Sequence, residues 1–187
     1  MGRTLGHTAA TVACSERTLR RYINEGLLRG RELHRHRFEL PEREERYLRE
    51  HWPLLRGLRV ALRTERDVRL AVLFGSTATG EDTERSDVDL LVSHRRDGGR
   101  ALASLRRRLE DALGRRVHLV RLGDARRSAA LLADVLEEGR VIVDRDRCWP
   151  ALVGEGERVV ARAAREDAEA LALAHAAVDA AQQRTER

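Results

Sequence analysis

The chain has 187 residues, and all 36 of its basic residues are arginine, because the sequence contains no lysine. This excludes enzymes that bind phosphate through a P-loop lysine, form a Schiff base on a lysine amine or use the strand lysine of kinases. The formal net charge of +5 is modest for this length. A disordered polybasic tail is therefore excluded, and any nucleic-acid binding must be local.

Composition and the distribution of apolar residues also indicate the cellular compartment of the protein. The six aromatic residues, two each of Trp, Tyr and Phe, are too few for an RNA-binding sheet that stacks bases. The first residues contain no apolar signal segment, and no apolar run approaches the length of about 18 residues that a membrane helix needs. Cys14 and Cys148 lie far apart in the sequence. We therefore expect a cytoplasmic protein, in a reducing environment and without membrane contact.

The first 40 residues predict two short helices followed by a hairpin. Ser15 is an N-cap candidate for the second helix, in which Leu19, Tyr22 and Ile23 recur at helical spacing, and Gly26 ends that helix. The stretch LLRGRELHRHRFEL predicts a short β-hairpin. Together these elements describe a helix-turn-helix with a wing.

Further along the chain, Pro41 predicts the start of a helix, and Pro53 is expected to interrupt it before a second one over LLRGLRVALRTE. The pattern then changes to strands over VRLAVLF, DVDLLV, VHLV and VIV that alternate with helices. Those helices end at Gly114 and Gly139, and Asp124 is expected to cap the second of them. The alternation predicts an α/β unit.

Alanine dominates the last predicted helix. Its apolar stripe consists of Val160, Ala164, Leu171, Ala174 and Val178. We expect this stripe to pack on the rest of the molecule; the alternative is that it forms a surface for a partner. The changes of pattern divide the chain into an N-terminal winged helix-turn-helix with connecting helices (1–66), a central domain (67–148) and a C-terminal helix (149–187).

The central passage LFGSTATGEDTERSDVDLLV carries the candidate active site. Gly75 and Ser76 end one strand, and Asp87 and Asp89 begin the next, on the same face with Cα atoms about 6.6 Å apart. Paired carboxylates can hold divalent metals that stabilise the attacking and leaving oxygens of a phosphoryl displacement. Gly75 allows close backbone approach, and Ser76 offers an amide and a hydroxyl to phosphate. This predicts nucleotide transfer.

These residues resemble the signature of the polymerase-β-like nucleotidyltransferase superfamily, and most closely its minimal nucleotidyltransferase (MNT) proteins, over roughly residues 68–145. The resemblance implies an α+β fold with a small mixed sheet. It also implies nucleotide binding at Gly75 and Ser76, and Mg²⁺ (or Mn²⁺) bound by Asp87 and Asp89, with ATP or another NTP as substrate. The charged loop between these pairs is expected to be solvated: Glu81, Asp82, Glu84 and Arg85.

One position departs from the family pattern. Where the family commonly has a third acid on the next strand, this chain has His118, an imidazole that can act as a catalytic base or ligand.

Since MNT proteins are often antitoxins that adenylylate a HEPN ribonuclease toxin, the resemblance implies transfer of AMP to such a protein acceptor. The alternatives are a DNA-binding regulator with a degenerate, nucleotide-sensing domain, or a nucleotidyltransferase acting on tRNA or an aminoglycoside-type antibiotic.

The N-terminal stretch CSERTLRRYINEGLLRGRELHRHRFEL resembles the winged-helix DNA-binding domain of MerR-type regulators. The resemblance places Arg17, Arg20 and Arg21 on a recognition helix and Arg35 and Arg37 on the wing, where guanidinium groups contact phosphates or guanine edges. It implies binding to the protein's own promoter, as a homodimer on a two-fold site. The alternative is that these arginines only make the surface soluble.

Overall fold

The structure is a computed structural model that describes residues 3–34, 37–96 and 98–185, and the side chains of residues 5–33, 38–96 and 98–174. Its strands are β1 (Arg3–Thr4), β2 (Arg31–His34), β3 (Arg37–Leu40), β4 (Val68–Phe74), β5 (Val88–His94), β6 (Val117–Arg121) and β7 (Arg140–Asp144). Its helices are α1 (Leu5–Thr11), α2 (Glu16–Asn24), α3 (Glu42–Thr64), α4 (Ser76–Thr79), α5 (Gly99–Leu113), α6 (Leu122–Ala125), α7 (Ala129–Glu138), α8 (Cys148–Gly154) and α9 (Gly156–Thr185).

The N-terminal elements follow the predicted order of two helices and a hairpin. Ser15 caps α2 by accepting a hydrogen bond from the backbone N–H of Thr18, and Gly26 adopts a φ of 80° just after the helix. The β2–β3 hairpin is joined by β1, which the sequence did not predict, in an antiparallel sheet of order β1-β3-β2. Helix α2 is held by Leu19, whose side chain is fully buried.

The predicted break at Pro53 is wrong, because α3 runs without interruption through this residue. A proline inside a helix removes a hydrogen bond and costs about 3 kcal/mol. The helix persists because it buries Leu48, Leu55, Leu58 and Leu62 completely. Each buried leucine contributes about 1.5–3 kcal/mol, so packing outweighs the local penalty.

The central domain is built on a mixed four-stranded sheet of order β6-β5-β4-β7, as expected. Strand β4 is antiparallel to both β5 and β7, whereas β5 and β6 are parallel. Successive residues of β4 point to opposite faces of the sheet. Ala71 and Leu73 pack with α3 and α5 on one face, and Leu70, Val72 and Phe74 pack with α7 and α9 on the other.

The N-terminal module and one face of this sheet share a single apolar core. Leu5, Leu19 and Leu40 belong to the same cluster of buried side chains as Ala71 and Leu90 of the sheet. The long helix α3 connects the two parts, because its residues contact both the N-terminal helices and the sheet face. The N-terminal module is therefore fixed against the central domain by apolar contacts.

Two details at helix ends differ from the sequence predictions. Asp124 lies inside the short helix α6, and Ser128 caps α7 instead, by accepting a hydrogen bond from the backbone N–H of Leu131. Before α9 the chain also forms the short helix α8, which was not predicted. The first difference arises because Asp124 and Ser128 are both suitable capping residues, and the sequence does not show which of them is used.

The predicted packing stripe of α9 is wrong as well. The helix packs on α7 through Val159 and Ala163, which are 7% exposed, while Val160 is 56% and Leu171 is 59% exposed. Ala164 and Ala174 are also exposed, and the side chain of Val178 lies outside the described residues. In an alanine-rich helix several faces have similar hydrophobicity, so periodicity could not identify the docked one.

No described helix combines the length and the apolar character that a membrane span requires. Cys14 and Cys148 are both free thiols.

Candidate functional site

The Gly75–Ser76 turn lies where β4 ends and α4 begins. Gly75 has a φ of 69°, a conformation that favours glycine. A Cβ atom at this position would lie 2.9 Å from Oδ2 of Asp89. The turn is closed by hydrogen bonds from the backbone N–H groups of Ala78 and Thr79 to the Gly75 carbonyl. The glycine therefore allows both the tight turn and the close approach of the Asp89 carboxylate.

The two predicted aspartates lie beside this turn. Asp87 directly precedes β5, and Asp89 is the second residue of that strand, opposite Phe74 of β4. The hydroxyl of Thr77 donates a hydrogen bond to the Asp87 carbonyl over 3.1 Å and so ties α4 to the start of β5. The side chains of Asp87 and Asp89 are 38% and 26% exposed, although Oδ1 of Asp87 is itself buried.

Each of these carboxylates faces a basic side chain from the neighbouring strand region. Nε of Arg116 lies 2.9 Å from Oδ1 of Asp87. Nδ1 of His118 lies 3.1 Å from Oδ1 of Asp89, its cross-strand neighbour in the parallel β5–β6 pair. Arg116 and His118 are 79% and 64% exposed. Exposed pairs of this kind are worth about 0–1 kcal/mol, so an incoming cation can displace them.

The donor set at this site fits a hard divalent cation. Asp87 and Asp89 offer carboxylate oxygens, and the missing Cβ at Gly75 leaves open the space next to Asp89. Mg²⁺ is typically held by one or two carboxylates together with substrate phosphates and water. Across the described ranges, no three His, Cys, Asp or Glu side chains are grouped to hold a metal.

In the charged loop, Glu81, Glu84 and Arg85 are exposed as predicted, but the prediction is wrong for Asp82. Its side chain is only 6% exposed and accepts hydrogen bonds from Nε2 of His51 over 2.7 Å and from Arg115 over 2.9 Å. Arg115 also donates to the Ser86 carbonyl over 2.7 Å. Burial by itself raises the pKa of Asp82, but the hydrogen bonds from His51 and Arg115 outweigh it and hold that pKa below its ordinary value. The loop between the turn and the aspartates is therefore anchored.

Helix α3 also holds the α4 turn through Tyr47. The Tyr47 hydroxyl donates a hydrogen bond to the Thr77 carbonyl over 3.1 Å, and its ring stacks on His51 with centroids 4.4 Å apart. Burial raises the pKa of the Tyr47 phenol. Tyr47 and His51 are four residues apart, which places them on one helix face. That spacing was visible in the sequence, but their contact with the loop was not.

A buried ion pair lies beneath this arrangement. Arg140, at the start of β7, is 2% exposed and binds Glu44 of α3 through two contacts of 2.6 and 2.9 Å. Arg140 also donates to the Ala78 carbonyl over 2.7 Å, and its guanidinium lies 3.5 Å from the centroid of the Tyr47 ring. Glu44 in turn accepts the backbone N–H of Arg29 over 3.0 Å. This ion pair joins α3, the α4 turn and β7.

The anchoring of Asp82 predicts a specific loss of stability in acid. Because its pKa is depressed in the folded state, its contribution is present above a pH of about 4 and is lost as pH falls through the lower folded value. We expect Asp82→Asn to cost about 1.5–3 kcal/mol at neutral pH and to flatten the decline in unfolding free energy below pH 4. Urea unfolding across pH measures this. The exposed loop variant Glu84→Gln should follow the wild-type curve.

Gly75 offers a second test of this geometry. Gly75→Ala places a Cβ 2.9 Å from Asp89 Oδ2 at a φ of 69°, so we expect it to destabilise the fold by more than about 1 kcal/mol and to displace the carboxylate. Gly98→Ala is the matched control, because Gly98 has a φ of −86° and no atom within 4 Å of its Cβ position. Equal unfolding free energies for the two variants would contradict the close approach at Gly75.

The predicted DNA-contacting arginines are only partly described. Arg17, Arg20 and Arg21 are exposed on α2. Arg20 pairs with Glu16 over 3.1 Å, and Arg21 lies 3.7 Å from a Glu25 oxygen. Arg35 lies outside the described residues, and so does the side chain of Arg37, whose backbone begins β3.

Comparison with known proteins defines the class of the central domain. Residues 58–148 match the family described as Polymerase beta, Nucleotidyltransferase. The matched segment, just under half of the chain, contains Gly75, Ser76, Asp87, Asp89 and His118, so all five lie in a region similar to polymerase β-type nucleotidyltransferases. No curated protein sequence matches the chain.

Solved structures show the same fold. A toxin-antitoxin with AMP-PNP is 24% identical, with a TM-score of 0.52, and the match covers 66% of this chain and 98% of that one. A mutant of the toxin-antitoxin MntA-HpeT is 22% identical, with a TM-score of 0.52 and the same coverage of 66% and 98%. The expectation of a mixed-sheet nucleotidyltransferase fold is therefore confirmed.

Proposed function

We propose that this protein is an MNT-type antitoxin that transfers a nucleoside monophosphate, AMP from ATP in the favoured case, to a HEPN-type toxin. The observation that carries the proposal is the packing of the Gly75 turn against Asp89 at the start of β5. Two further findings support it: the nucleotidyltransferase family match and the likeness to a toxin-antitoxin structure described with AMP-PNP.

The residues of the site can be assigned roles in this transfer. A hydroxyl of the acceptor attacks the α-phosphorus of the NTP, a new P–O bond forms, and the bond to pyrophosphate breaks. A divalent ion such as Mg²⁺ or Mn²⁺, when bound, would supply positive charge against the phosphate oxygens. Asp87 and Asp89 would hold the metal, and Gly75 and Ser76 would contact the phosphates through their backbone. His118, which contacts Asp89, would accept the proton of the attacking hydroxyl.

A protein acceptor fits the size of the domain. The polymerase β-type match spans residues 58–148, and the structure places α3 and α5 on one face of its sheet and α7 and α9 on the other. A small-molecule acceptor requires a second pocket next to the nucleotide, whereas a folded protein presents its own surface to the site. The small domain therefore favours a protein acceptor over an aminoglycoside-type antibiotic or the end of a tRNA.

The transfer reaction is tested directly. The protein is incubated with each α-³²P-labelled NTP and Mg²⁺, with and without a purified HEPN-type toxin. We expect label on the toxin, greatest with ATP, and none when EDTA is added. Label on tRNA or on an aminoglycoside, but not on the toxin, would reassign the acceptor. Absence of transfer to every acceptor with every NTP would refute the enzymatic proposal.

The second candidate is a DNA-binding regulator whose nucleotidyltransferase domain senses nucleotide without catalysis. It is favoured by one observation: both carboxylates are paired with basic groups, Asp87 with Arg116 and Asp89 with His118. The two candidates differ in what happens to the NTP. A sensor binds it and releases it intact, whereas a transferase releases pyrophosphate, which a coupled assay detects.

We further propose that residues 1–66 act as a winged helix-turn-helix that binds the protein's own promoter, with 67–148 as the catalytic domain and 149–187 as the C-terminal helix. Exposed Arg17, Arg20 and Arg21 on α2, next to the β2–β3 hairpin, support this role. A single module of this kind binds weakly, so a homodimer on a two-fold site is proposed.

DNA binding makes a quantitative prediction. We expect Arg20→Ala with Arg21→Ala to weaken binding of a promoter fragment and to reduce the slope of log affinity against log salt by about 0.9 for each phosphate that is no longer neutralised. Fluorescence anisotropy at several salt concentrations measures both effects. Arg106→Ala with Arg107→Ala, on the exposed surface of α5, is the matched control. An unchanged slope in the α2 variant would refute the assignment.

A further inference from the structure

A cleft of about 720 Å³ lies between the N-terminal module and the edge strand of the central sheet. Its walls are the end of α2, the C-terminal end of α3, strand β7 and the start of α8. None of Gly75, Ser76, Asp87, Asp89 and His118 lines it. Its volume is within the range of about 300–1,000 Å³ that is typical of small-molecule sites.

The lining of this cleft is positively charged. Five arginines line it, against only two acids, Glu25 and Asp144. Both acids already have partners in the protein. Glu25 pairs with Arg59 over 3.1 Å, and Asp144 accepts the backbone N–H groups of Cys148 and Trp149 over 2.9 and 3.0 Å. A ligand entering the cleft would therefore meet an excess of positive charge.

Two of the arginines are available to a ligand. Arg145 donates to the Glu65 and Leu62 carbonyls over 2.8 and 2.9 Å and so has a structural role. Arg63 and Arg147 are exposed at the cleft, and within the described residues their side chains make no hydrogen bond or ion pair. An unpaired guanidinium is the side-chain group best suited to bind phosphate.

The backbone at Arg147 adds a second observation. Its φ is 55°, a left-handed conformation that is uncommon for residues other than glycine. Such conformations cost of order 1–3 kcal/mol and concentrate at functional sites. Here the conformation lies in the turn from β7 to α8, between Asp144 and Trp149, and it brings the Arg147 side chain to the cleft wall.

Aromatic groups form another part of the lining. Tyr22 and Trp149 both line the cleft and are half-buried. The guanidinium of Arg59 lies 4.4 Å from the centroid of the Tyr22 ring, so this ring already has a cationic neighbour. Trp149 is the aromatic group placed to stack on a base, an interaction worth about 1–3 kcal/mol and tolerant of base identity. Phosphate-binding and base-stacking groups thus line one cleft.

We propose that this cleft is a second nucleotide site, in which Arg63 and Arg147 bind the phosphates of a free nucleotide and Trp149 stacks on its base. Since guanidinium groups bind phosphate directly, this site needs no metal. Its walls come from both the N-terminal module and the central domain, so the bound nucleotide contacts both. The proposal does not depend on catalysis at Asp87 and Asp89.

Binding without metal is the discriminating test. Isothermal titration of the full chain in EDTA uses the α,β-methylene analogue of ATP, which nucleotidyl transfer cannot cleave. We expect a single site, and an affinity reduced about 10-fold or more in Arg63→Gln with Arg147→Asn. Asparagine tolerates the left-handed backbone at position 147. Arg106→Gln with Arg107→Gln is the matched control and should bind like the wild type.

Further binding measurements distinguish a nucleotide in this cleft from a nucleotide in the active site and from other ligands. Asp87→Asn with Asp89→Asn should retain binding in EDTA, and loss of binding in that variant would place the nucleotide in the active site and overturn the proposal. Equal affinity for inorganic triphosphate would overturn the stacking on Trp149. Binding of a single-stranded oligonucleotide but not of the ATP analogue would overturn a free nucleotide as ligand. Binding unchanged in the Arg63 and Arg147 variant would overturn the site itself.

Discussion

Asp87→Asn combined with Asp89→Asn is expected to reduce nucleotide transfer by about 1,000-fold or more. Asp87 directly precedes β5 and Asp89 is its second residue, beside the Gly75 turn, and the proposed mechanism uses no other hard-metal ligands from the protein. A metal ion at a phosphoryl group supplies several kcal/mol of transition-state stabilisation, and each 1.36 kcal/mol is a factor of ten in rate. Initial rates of label transfer at saturating NTP and Mg²⁺ measure the loss.

The same variant should remain folded. In each ion pair that it removes, Asp87 with Arg116 and Asp89 with His118, the basic partner is exposed and the carboxylate is partly exposed, so we expect the free energy of unfolding to change by less than about 1 kcal/mol. Asp111→Asn, on the exposed face of α5, is the matched control for loss of a carboxylate and should retain full activity. Transfer at the wild-type rate in the double variant would refute the proposed site.

Glu44→Gln is expected to destabilise the protein by about 3–5 kcal/mol, the largest effect on stability that we predict from a single side chain. Glu44 is 4% exposed and Arg140 is 2% exposed, so removal of one charge leaves the other buried without its ionic partner. Arg140 also donates to the Ala78 carbonyl, and disturbance of this hydrogen bond should loosen the α4 turn. Urea unfolding monitored by circular dichroism measures the free energy.

A double-mutant cycle separates the ion pair from simple packing. Arg140→Met in the Glu44→Gln background should cost less than the sum of the two single changes, because replacing both members of a buried pair removes the uncompensated charge. Arg126→Met with Glu155→Gln is the exposed control, since that pair has a 2.9 Å contact with side chains 48% and 31% exposed. It should change stability by less than about 1 kcal/mol. Additive effects at Glu44 and Arg140 would contradict their coupling.

The helices, the strands and the nucleotide signature were largely predictable. Ser15 lies before an apolar repeat of helical period and does cap α2, and VRLAVLF is a strand because a continuous apolar run of this length is buried on both faces of a sheet. The Gly75–Ser76 pair and the two aspartates lie at adjacent strand ends, where the spacing placed them. These features depend on residues close together in the sequence.

The predictions that were wrong depend on contacts between residues that are far apart in the sequence. Pro53 lies inside one helix because buried leucines along α3 outweigh a local penalty, and α9 docks through Val159 instead of Val160 because α7 provides the complementary surface. Asp82 is charged and lies in a loop, two properties that predict solvation. It is buried because His51 and Arg115, distant in sequence, supply two hydrogen bonds.

The sequence by itself determined the composition-based exclusions, the order of most helices and strands, and the chemistry of a nucleotidyltransferase signature, since periodicity, turn residues and motif spacing are local properties. Only the tertiary structure decided that α3 anchors the turn and the loop of the candidate site, that Arg140 and Glu44 form a buried pair, and that arginines and a tryptophan from separate elements line one cleft. Those contacts join residues far apart in the chain, and their energies arise from burial and charge pairing that exist only once the chain is folded.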